Sequence, residues 1–512
     1  MLKILMFFCS FLFLSVSCSN SVHSVVNTDL PDEDTDFDYE QLEDFDEIDD
    51  SDGEKEPVFD LKVEVNEKNF LSCRVTFSTA DKKKTFVKYY SATHSGYKID
   101  EDSAKTEHYF FLWGMRENLD YKIEIYSDEE EPELLATTEF HSGFVPQSIY
   151  PVNLVTNEKE SVQPGFLLMT QNTTNNWTRY PIMFMVDVDG FVVWYYEHDY
   201  IDGALLCDAK YHEKTRTVFV GVQKNWSMSE IPFEEGFEID LEGNTLWKSP
   251  NIASYSYGEA GWHHQYTLLD DDTILFIRAQ FQGMMLTDRI LNVDRNYNEL
   301  WNWGYLDSLD EFKLPECADS TTDWCDWTHT NAVMMFKDAG EIYLNSLRLG
   351  FYKMDMNTKK VLWKFAKDGD FKMLSKHDFP WTDSTHSPEF YDSSKKHLLF
   401  FDNGMTERPY SRIIEYEIDE EAKTAEITFE YDGRNANRGW YAEIGWGDAD
   451  YLENGNILVA KGWVDPPENS SVFEVTRDGR VVWELYNYQD ENFMVEIYKV
   501  EKFMPQLEFL NE

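Results

Sequence analysis

Three histidines occupy the same position of an internal sequence repeat. The copies read HQYTLLDDDTILF from His264, HTNAVMMFKDAGEIYL from His329 and HSPEFYDSSKKHLLFF from His386, and each histidine stands four residues before an apolar doublet. His263 falls outside this register. Equivalent positions of a repeat that closes into a ring lie at equivalent places around its axis. We therefore expect the three histidine side chains to converge on one cavity.

Other residues near these histidines suit the binding of an oxyanion. Arg348 follows the strand after His329, and Asp402 and Asn403 follow the strand after His386. An arginine offers a forked pair of donors that fits sulfate or phosphate. A neutral imidazole can act as a nucleophile, and a second imidazole can protonate a departing phenolate. Metal ligation by the three histidines is the competing interpretation.

The repeat that must position these side chains has a second recurring feature. Six segments combine apolar residues, a polar turn and an apolar strand, and they close on Trp194, Trp247, Trp301, Trp363, Phe429 and Trp483. Asp-Gly and Glu-Gly pairs in the turns are hairpin signals. Six four-stranded units of this kind close a ring without exposed sheet edges. The sequence thus predicts an all-β protein in which residues 146–512 form a six-bladed β-propeller, with the tryptophans packed between blades.

Three segments precede the repeat. Residues 1–18 combine a lysine, a short apolar run and a small-residue end, which is typical of a secretory signal peptide. Residues 19–56 are rich in Asp and Glu and predict a disordered acidic linker. Residues 57–145 alternate apolar and polar residues and predict a small β-sandwich. We expect export to the periplasm or the extracellular space, with a lipid tether at Cys18 left open.

Charge and cysteine content narrow the classes of partner. The chain has 45 Lys and Arg against 96 Asp and Glu, a formal charge of −51, which argues against a nucleic-acid partner because phosphate binding needs basic residues. Cys317 and Cys325 bracket a short loop, and an oxidising compartment favours a disulfide between them over two free thiols. We expect no cofactor, and homodimer formation is left open.

The segments around the histidines resemble those of the bacterial arylsulfate sulfotransferases. The resemblance runs roughly from Phe144 to Tyr488 and is carried by GWHHQYTLL, DWTHTNAV, NSLRLGFYKMD, WTDSTHSPEF, LLFFDNG and YLENGNILVA. It implies a propeller behind an N-terminal β-sandwich. It also implies transfer of a sulfuryl group from a phenolic sulfate ester to a phenol, through a sulfated histidine and without a nucleotide donor. Small phenolic sulfates and phenols are the partners that it implies.

The resemblance also gives the candidate residues roles. His386 resembles the transiently sulfated nucleophile, while His329 and Arg348 resemble the pair that binds and polarises the sulfuryl oxygens. His264 resembles the remaining sulfate-binding histidine. Two further substrate-binding candidates are His263 and Asn403.

Several alternatives remain open from the sequence alone. His377 lies close enough to rival His386 as the nucleophile. A non-catalytic extracellular propeller that binds a ligand or partner would make the histidines incidental. A quinone-cofactor dehydrogenase also has Gly- and Trp-rich propeller repeats, although six repeats rather than eight argue against it.

Overall fold

The computed structural model describes eleven segments of the chain. They are residues 57–149, 152–175, 178–197, 205–223, 235–250, 259–315, 325–404, 407–432, 446–462, 470–487 and 493–510. The chain divides into two units, residues 1–55 and 56–512. The signal peptide, Cys18 and the acidic linker predicted for residues 1–56 lie outside the described residues, and so does Cys317. Within the described segments no helix is long and apolar enough to span a membrane.

Seven strands at the start of the described chain form two facing sheets. They are β1 (Phe59–Val65), β2 (Cys73–Lys83), β3 (Thr85–Tyr90), β4 (Tyr97–Asp100), β5 (Lys105–Leu112), β6 (Asp120–Ser127) and β7 (Leu134–His141). One sheet has the order β1-β2-β5 and the other has the order β4-β3-β6-β7. The alternation in β6 buries Tyr121, Ile123 and Ile125 against residues of the first sheet such as Val75 and Leu112.

The chain from Val152 onward forms six further sheets in the described residues, which we number as blades 1 to 6 in chain order. Blade 1 contains β9 (Phe166–Asn175), β10 (Thr178–Val186) and β11 (Val192–Tyr196), and blade 2 contains β12 (Leu205–His212), β13 (Thr217–Gln223), β14 (Gly236–Asp240) and β15 (Thr245–Lys248). Blade 3 contains β16 (Glu259–Leu268), β17 (Ile274–Gln282), β18 (Met285–Val293), β19 (Glu299–Gly304) and the short parallel strand β20 (Cys325–Asp326).

The remaining blades follow the same order of antiparallel strands. Blade 4 contains β21 (Thr330–Phe336), β22 (Glu341–Ser346), β23 (Gly350–Asp355) and β24 (Val361–Phe365). Blade 5 contains β25 (Lys372–Met373), β26 (Thr385–Phe390), β27 (His397–Asp402), β28 (Arg412–Asp419) and β29 (Thr424–Tyr431). Blade 6 contains β30 (Asp448–Tyr451), β31 (Ile457–Lys461), β32 (Ser470–Val475) and β33 (Val481–Asn487), with β8 (Val152–Asn157) added at its outer edge.

The last strands of the chain close the ring. Both β34 (Phe493–Glu496) and β35 (Val500–Phe503) pair with β9, so the C-terminal segment supplies the innermost strand of blade 1. The innermost strands then contact one another in sequence, from β35 through β12, β16, β21 and β26 to β30, and β31 of blade 6 meets β35 again. Finally β36 (Glu508–Phe509) pairs with β4 of the N-terminal sheets. The predicted all-β propeller class is confirmed.

Helical structure in the described ranges is limited to three short 3₁₀ turns, at Lys159–Ser161, Tyr305–Ser308 and Lys337–Ala339. The alternation of apolar residues in the sequence therefore corresponds to strands rather than to helices throughout the described part of the repeat region.

The repeated tryptophans lie on the fourth strand of their blades and connect each blade to the next. The indole N–H groups of Trp194, Trp247, Trp301 and Trp483 donate, in that order, to the carbonyl oxygens of Leu241, Arg295, Met356 and Val188 at 2.8, 3.2, 2.9 and 2.8 Å. Each acceptor lies in or beside the turn between the third and fourth strands of the following blade. The recurring aromatic residue is thus an element of the scaffold, as the sequence predicts.

Candidate active site

A backbone irregularity recurs on the innermost strands of four successive blades. Asp208, His264, His329 and Ser387 all adopt left-handed conformations, with φ angles of 52°, 60°, 44° and 44°. Each lies within or directly beside a break in the pairing of the first and second strands. A bulge of this kind bends the strand and changes the direction of nearby side chains.

This register refines the alignment made from the sequence. His264 and His329 are themselves the left-handed residues of blades 3 and 4, whereas in blade 5 that residue is Ser387 and His386 precedes it. The repeat position of His386 therefore differs by one residue from that of the other two histidines. Alignment on apolar doublets misses the difference because a bulge adds a residue without disturbing the doublet.

The structure brings the three histidine rings together despite this offset. The ring centroid of His264 lies 5.0 Å from that of His329 and 5.9 Å from that of His386. Nε2 of His264 lies 3.1 Å from Nε2 of His329, within hydrogen-bonding distance. Three successive blades therefore contribute one imidazole each to a common site.

His386 is held by a single amide side chain. Its Nδ1 lies 2.7 Å from Oδ1 of Asn403, and Nδ2 of Asn403 donates to the carbonyl oxygen of Trp446 at 3.0 Å. Because that second bond fixes the amide orientation, Oδ1 accepts the hydrogen of Nδ1, and Nε2 keeps a lone pair. Asn403, expected to bind substrate, thus contacts His386, and both groups of its amide already have partners.

Burial keeps the imidazole of His386 neutral. The residue is 3% exposed. Burial is the main cause that lowers its pKa to about 4; the bond to Asn403 opposes the shift, while the charges of His329 and Lys499 add to it. At neutral pH the ring therefore offers a nucleophilic nitrogen rather than a positive charge.

His329 and Arg348 share one carboxylate. Nδ1 of His329 donates to Oδ2 of Asp326 at 2.6 Å, and the Arg348 guanidinium donates to the same oxygen at 3.3 Å. Burial alone would raise the pKa of Asp326, but the His329 bond and the Arg348 charge hold it below its ordinary value. The Arg348 side chain is 47% exposed, and this bond uses only one of its five N–H groups. An anion can therefore reach the guanidinium.

His264 contacts the C-terminal segment as well as His329. Its Nδ1 lies 2.9 Å from the hydroxyl oxygen of Tyr498. Burial and the neighbouring His263, His329, His386 and Lys499 hold the pKa of His264 well below its ordinary value. The next residue, Lys499, donates to Asp208 at 3.2 Å. Burial alone would lower the pKa of Lys499, but Asp208 and Asp448 raise it above the ordinary value. The charge of this lysine acts on both His264 and His386, because it is among the causes that lower the pKa of each.

Two other histidines named from the sequence have different surroundings. Nε2 of His263 lies 2.9 Å from Oδ1 of the buried Asp288, although its ring still touches that of His264. His377, the rival nucleophile, accepts the backbone N–H of Phe379 at Nδ1 and pairs through Nε2 with Glu430 at 2.9 Å. Both nitrogens of His377 are thus occupied. Its partner Glu430 lies on β29, at the outer side of blade 5.

The match to a protein-family model agrees with this geometry. Residues 151–504 match the model described as Arylsulfotransferase (ASST), which is more than half of the chain and spans every residue of the site. The chain belongs to the arylsulfotransferase family. Sulfotransferase chemistry on phenolic substrates is what this family implies.

Comparisons with curated proteins and with solved structures are less informative than the family model. No curated protein matches the chain. Among solved structures, the chain is similar to the β-propeller domain of Myceliophteria thermophila Cps50 (Swd1), with 12% identity, 68% of this chain and 90% of that chain covered, and a TM-score of 0.35. It is also similar to a eukaryotic initiation factor, with 10% identity, coverage of 82% and 98%, and a TM-score of 0.28. These TM-scores are too low to support an argument about the candidate site.

Sequence reasoning missed three residues of this candidate site. Asp326 stands three residues before His329 in the quoted motif, and an acidic residue so close to a candidate histidine was an available signal. Tyr498 and Lys499 follow the last recurring tryptophan, so no repeat register places them. They reach the site because the C-terminal segment closes blade 1, which is a long-range pairing.

The metal-ligand interpretation finds no support in the side-chain geometry. Across the eleven described segments, no group of three His, Cys, Asp or Glu residues is arranged to hold a metal ion.

Proposed function

We propose that this protein transfers a sulfuryl group from a phenolic sulfate ester to a phenol through a sulfated His386, without a nucleotide donor. The observation that carries the proposal is the Asn403 contact, because it leaves Nε2 of a buried neutral imidazole unprotonated beside two further imidazoles. Neutral histidine with a fixed tautomer is what nucleophilic attack on sulfur requires.

The reaction divides into two half-reactions with one covalent intermediate. Nε2 of His386 attacks sulfur as the bond from sulfur to the phenolic oxygen breaks, and the phenol leaves. A second phenol then attacks the sulfated histidine and regenerates the free imidazole. Asn403 stabilises the intermediate because Nδ1–H of the sulfated ring still donates to its carbonyl oxygen.

The remaining side chains supply the positive charge and hydrogens that the transferred group needs. The sulfuryl oxygens stay negative throughout, and negative charge develops on the leaving oxygen. Arg348 presents a forked donor that is partly exposed, and Asp326 orients it. The hydrogen shared by Nε2 of His264 and Nε2 of His329 is available to the departing oxygen, and Lys499 contributes buried positive charge.

Nitrophenol release tests the proposal. Incubation with 4-nitrophenyl sulfate should release a burst of roughly one nitrophenol per protein, and an added phenol should convert the burst into continuous turnover. His377→Ala is the matched control for His386→Ala, since His377 is bound to Glu430 outside the site. An absence of release from several aryl sulfates would reject the activity and favour a propeller that only binds a ligand.

We also propose the cellular context from the sequence. The signal peptide predicted for residues 1–18 would export the protein to the periplasm or beyond, free or tethered at Cys18. The Cys317–Cys325 disulfide stays a prediction and would form there. Mass spectrometry of the mature protein, with and without reduction, tests processing, lipidation and the disulfide together.

A further inference from the structure

A continuous chain of hydrogen bonds runs through the site from a carboxylate to a phenol hydroxyl. Oδ2 of Asp326 accepts from Nδ1 of His329 at 2.6 Å, Nε2 of His329 lies 3.1 Å from Nε2 of His264, and Nδ1 of His264 lies 2.9 Å from the Tyr498 hydroxyl. The two middle members are the imidazoles that face the sulfuryl site. The last member comes from the C-terminal segment, which the repeat does not include.

The positions of the hydrogens in this chain follow from donor and acceptor chemistry. An ionised carboxylate only accepts, so Nδ1 of His329 carries a hydrogen. When the His329 ring is neutral, its Nε2 has a lone pair, so Nε2–H of His264 donates to it and Nδ1 of His264 accepts from Tyr498. When the His329 ring is protonated, its Nε2–H donates to His264, and Nδ1–H of His264 donates to the Tyr498 oxygen.

Only a group that both donates and accepts can satisfy the two arrangements. A hydroxyl does so by rotating about its C–O bond, whereas an amide or a carboxylate in a fixed orientation does not. Tyr498 is 3% exposed, and burial holds the pKa of its hydroxyl well above the ordinary value, so the hydrogen stays on the oxygen. The Trp446 ring packs against the Tyr498 ring at a centroid distance of 5.4 Å and holds it in place.

We propose that Tyr498 is a positioning residue that lets the His264–His329 pair lose and regain one proton during sulfuryl transfer. This inference rests on the proposed function. Without the hydroxyl, Nδ1 of His264 would have no partner in either state, and the protonated state would lose more, because hydrogen bonds to a charged pair are stronger than those between neutral groups. Loss of Tyr498 would therefore disfavour the protonated pair, which is the state that gives a proton to the leaving oxygen.

The proton balance of the two half-reactions fits this role. In the first, the sulfur–oxygen bond of the donor breaks, a sulfur–nitrogen bond forms at His386, and the leaving oxygen takes the hydrogen on Nε2 of the protonated His329 ring. The phenol that forms can then donate its hydrogen to the lone pair on Nε2 of His329, while Nδ1–H of His264 still donates to Tyr498. In the second, the acceptor phenol returns one proton to the pair as its oxygen attacks sulfur. Each full turnover leaves the protein with the proton count it had at the start.

Leaving groups of different basicity test the proposal. A nitrophenolate leaves without protonation, whereas an unsubstituted phenolate needs a proton. In Tyr498→Phe we expect kcat/KM for 4-nitrophenyl sulfate to stay within about 3-fold of the unmodified protein, and that for phenyl sulfate to fall about 100-fold, the lower range of general-acid effects. Tyr416→Phe is the matched control, since that buried hydroxyl donates to the Pro380 carbonyl outside the site.

The outcomes separate this role from simple packing. An equal loss with both sulfates, or no loss with either, would overturn the proposal. If Tyr498→Phe does not fold, the unmodified protein provides the test. Release of phenol from phenyl sulfate in mixtures of H₂O and D₂O should give a curved proton inventory, because the other hydrogen bonds of the chain change as one proton is transferred. A linear inventory would contradict the chain.

A measurement without substrate separates this inference from the proposed function. ¹⁵N NMR of histidine-labelled protein, with signals assigned through His264→Asn, should show the Nδ1 signal of His264 moving in Tyr498→Phe and unchanged in Tyr416→Phe. An unmoved signal would overturn the chain even in an active enzyme. A moved signal in a protein that releases no phenol would support the chain and reject the sulfotransferase function.

Discussion

The outer and inner strands of the blades use the repeat in opposite ways. On the fourth strands, tryptophan makes the same interblade hydrogen bond four times. The indole N–H groups that donate to a carbonyl oxygen of the next blade are those of Trp194, Trp247, Trp301 and Trp483. On the innermost strands the backbone irregularity recurs but the side chains differ, from an aspartate in blade 2 to histidines in blades 3 and 4 and a serine in blade 5.

This contrast teaches where function resides in a repetitive fold. Uniform side chains at the periphery stabilise the ring. Varied side chains on a uniform backbone bend at the centre meet at short range, so they can assume different chemical roles. Changes at the centre should therefore alter catalysis with little effect on stability, and changes at the periphery should do the reverse.

The largest effect is expected from the innermost strand of blade 5. His386→Ala should lower turnover by about 10⁴-fold or more and abolish the nitrophenol burst, because no covalent intermediate can form. Stopped-flow absorbance measures the burst, and thermal melting confirms the fold. A burst that survives in His386→Ala but disappears in His377→Ala would transfer the nucleophile to His377.

A smaller loss is expected from Arg348. Arg348→Ala should lower the rate by about 10²–10³-fold, as for the removal of one oxyanion donor, while the sulfated intermediate still forms. Arg480→Ala is the matched control, because its side chain is similarly exposed, at 49% against 47%, and pairs with Glu158 at the periphery. Equal rates for the two variants would remove Arg348 from the site.

Lys499 should set the pH range of activity. Neutral His386 is the reactive form, so kcat/KM should fall as pH drops through about 4, the pKa to which burial and nearby charges lower it. Lys499→Gln removes one of those charges, so the His386 pKa rises and the fall should occur at higher pH. Lys502→Gln, which removes a buried lysine of β35 that pairs with Glu474, should leave the profile in place.

The smallest effect on catalysis is expected at the periphery. Trp194→Phe removes a buried indole and its bond to Leu241, whereas Trp363 is equally buried and its indole nitrogen has no hydrogen-bond partner. Unfolding in urea should therefore show Trp194→Phe to be less stable than Trp363→Phe by about 1 kcal/mol, the value of one hydrogen bond. Both variants should keep unaltered turnover. A large loss of turnover in either one would contradict the expectation that changes at the periphery affect stability rather than catalysis.

Local pattern and long-range pairing explain what the sequence could predict. Alternation and hairpin turns predict the strands, and the repeat brings His264 and His329 into register. The sequence alignment did not detect the one-residue offset of His386, because the spacing of apolar residues does not reveal a bulge. The sequence did not predict that Tyr498 and Lys499 belong to the site. Ring closure pairs β35 with β9, more than three hundred residues earlier, and no local sequence pattern indicates that contact.

The most direct test of the account is the location of the sulfuryl group on the protein. The enzyme is mixed with 4-nitrophenyl sulfate in the absence of acceptor, quenched and digested for mass spectrometry. The account predicts roughly one added sulfuryl group, on the peptide that contains His386, and its loss when phenol is added before the quench. A group found on the His329 peptide, or turnover with no modified peptide at all, would contradict it.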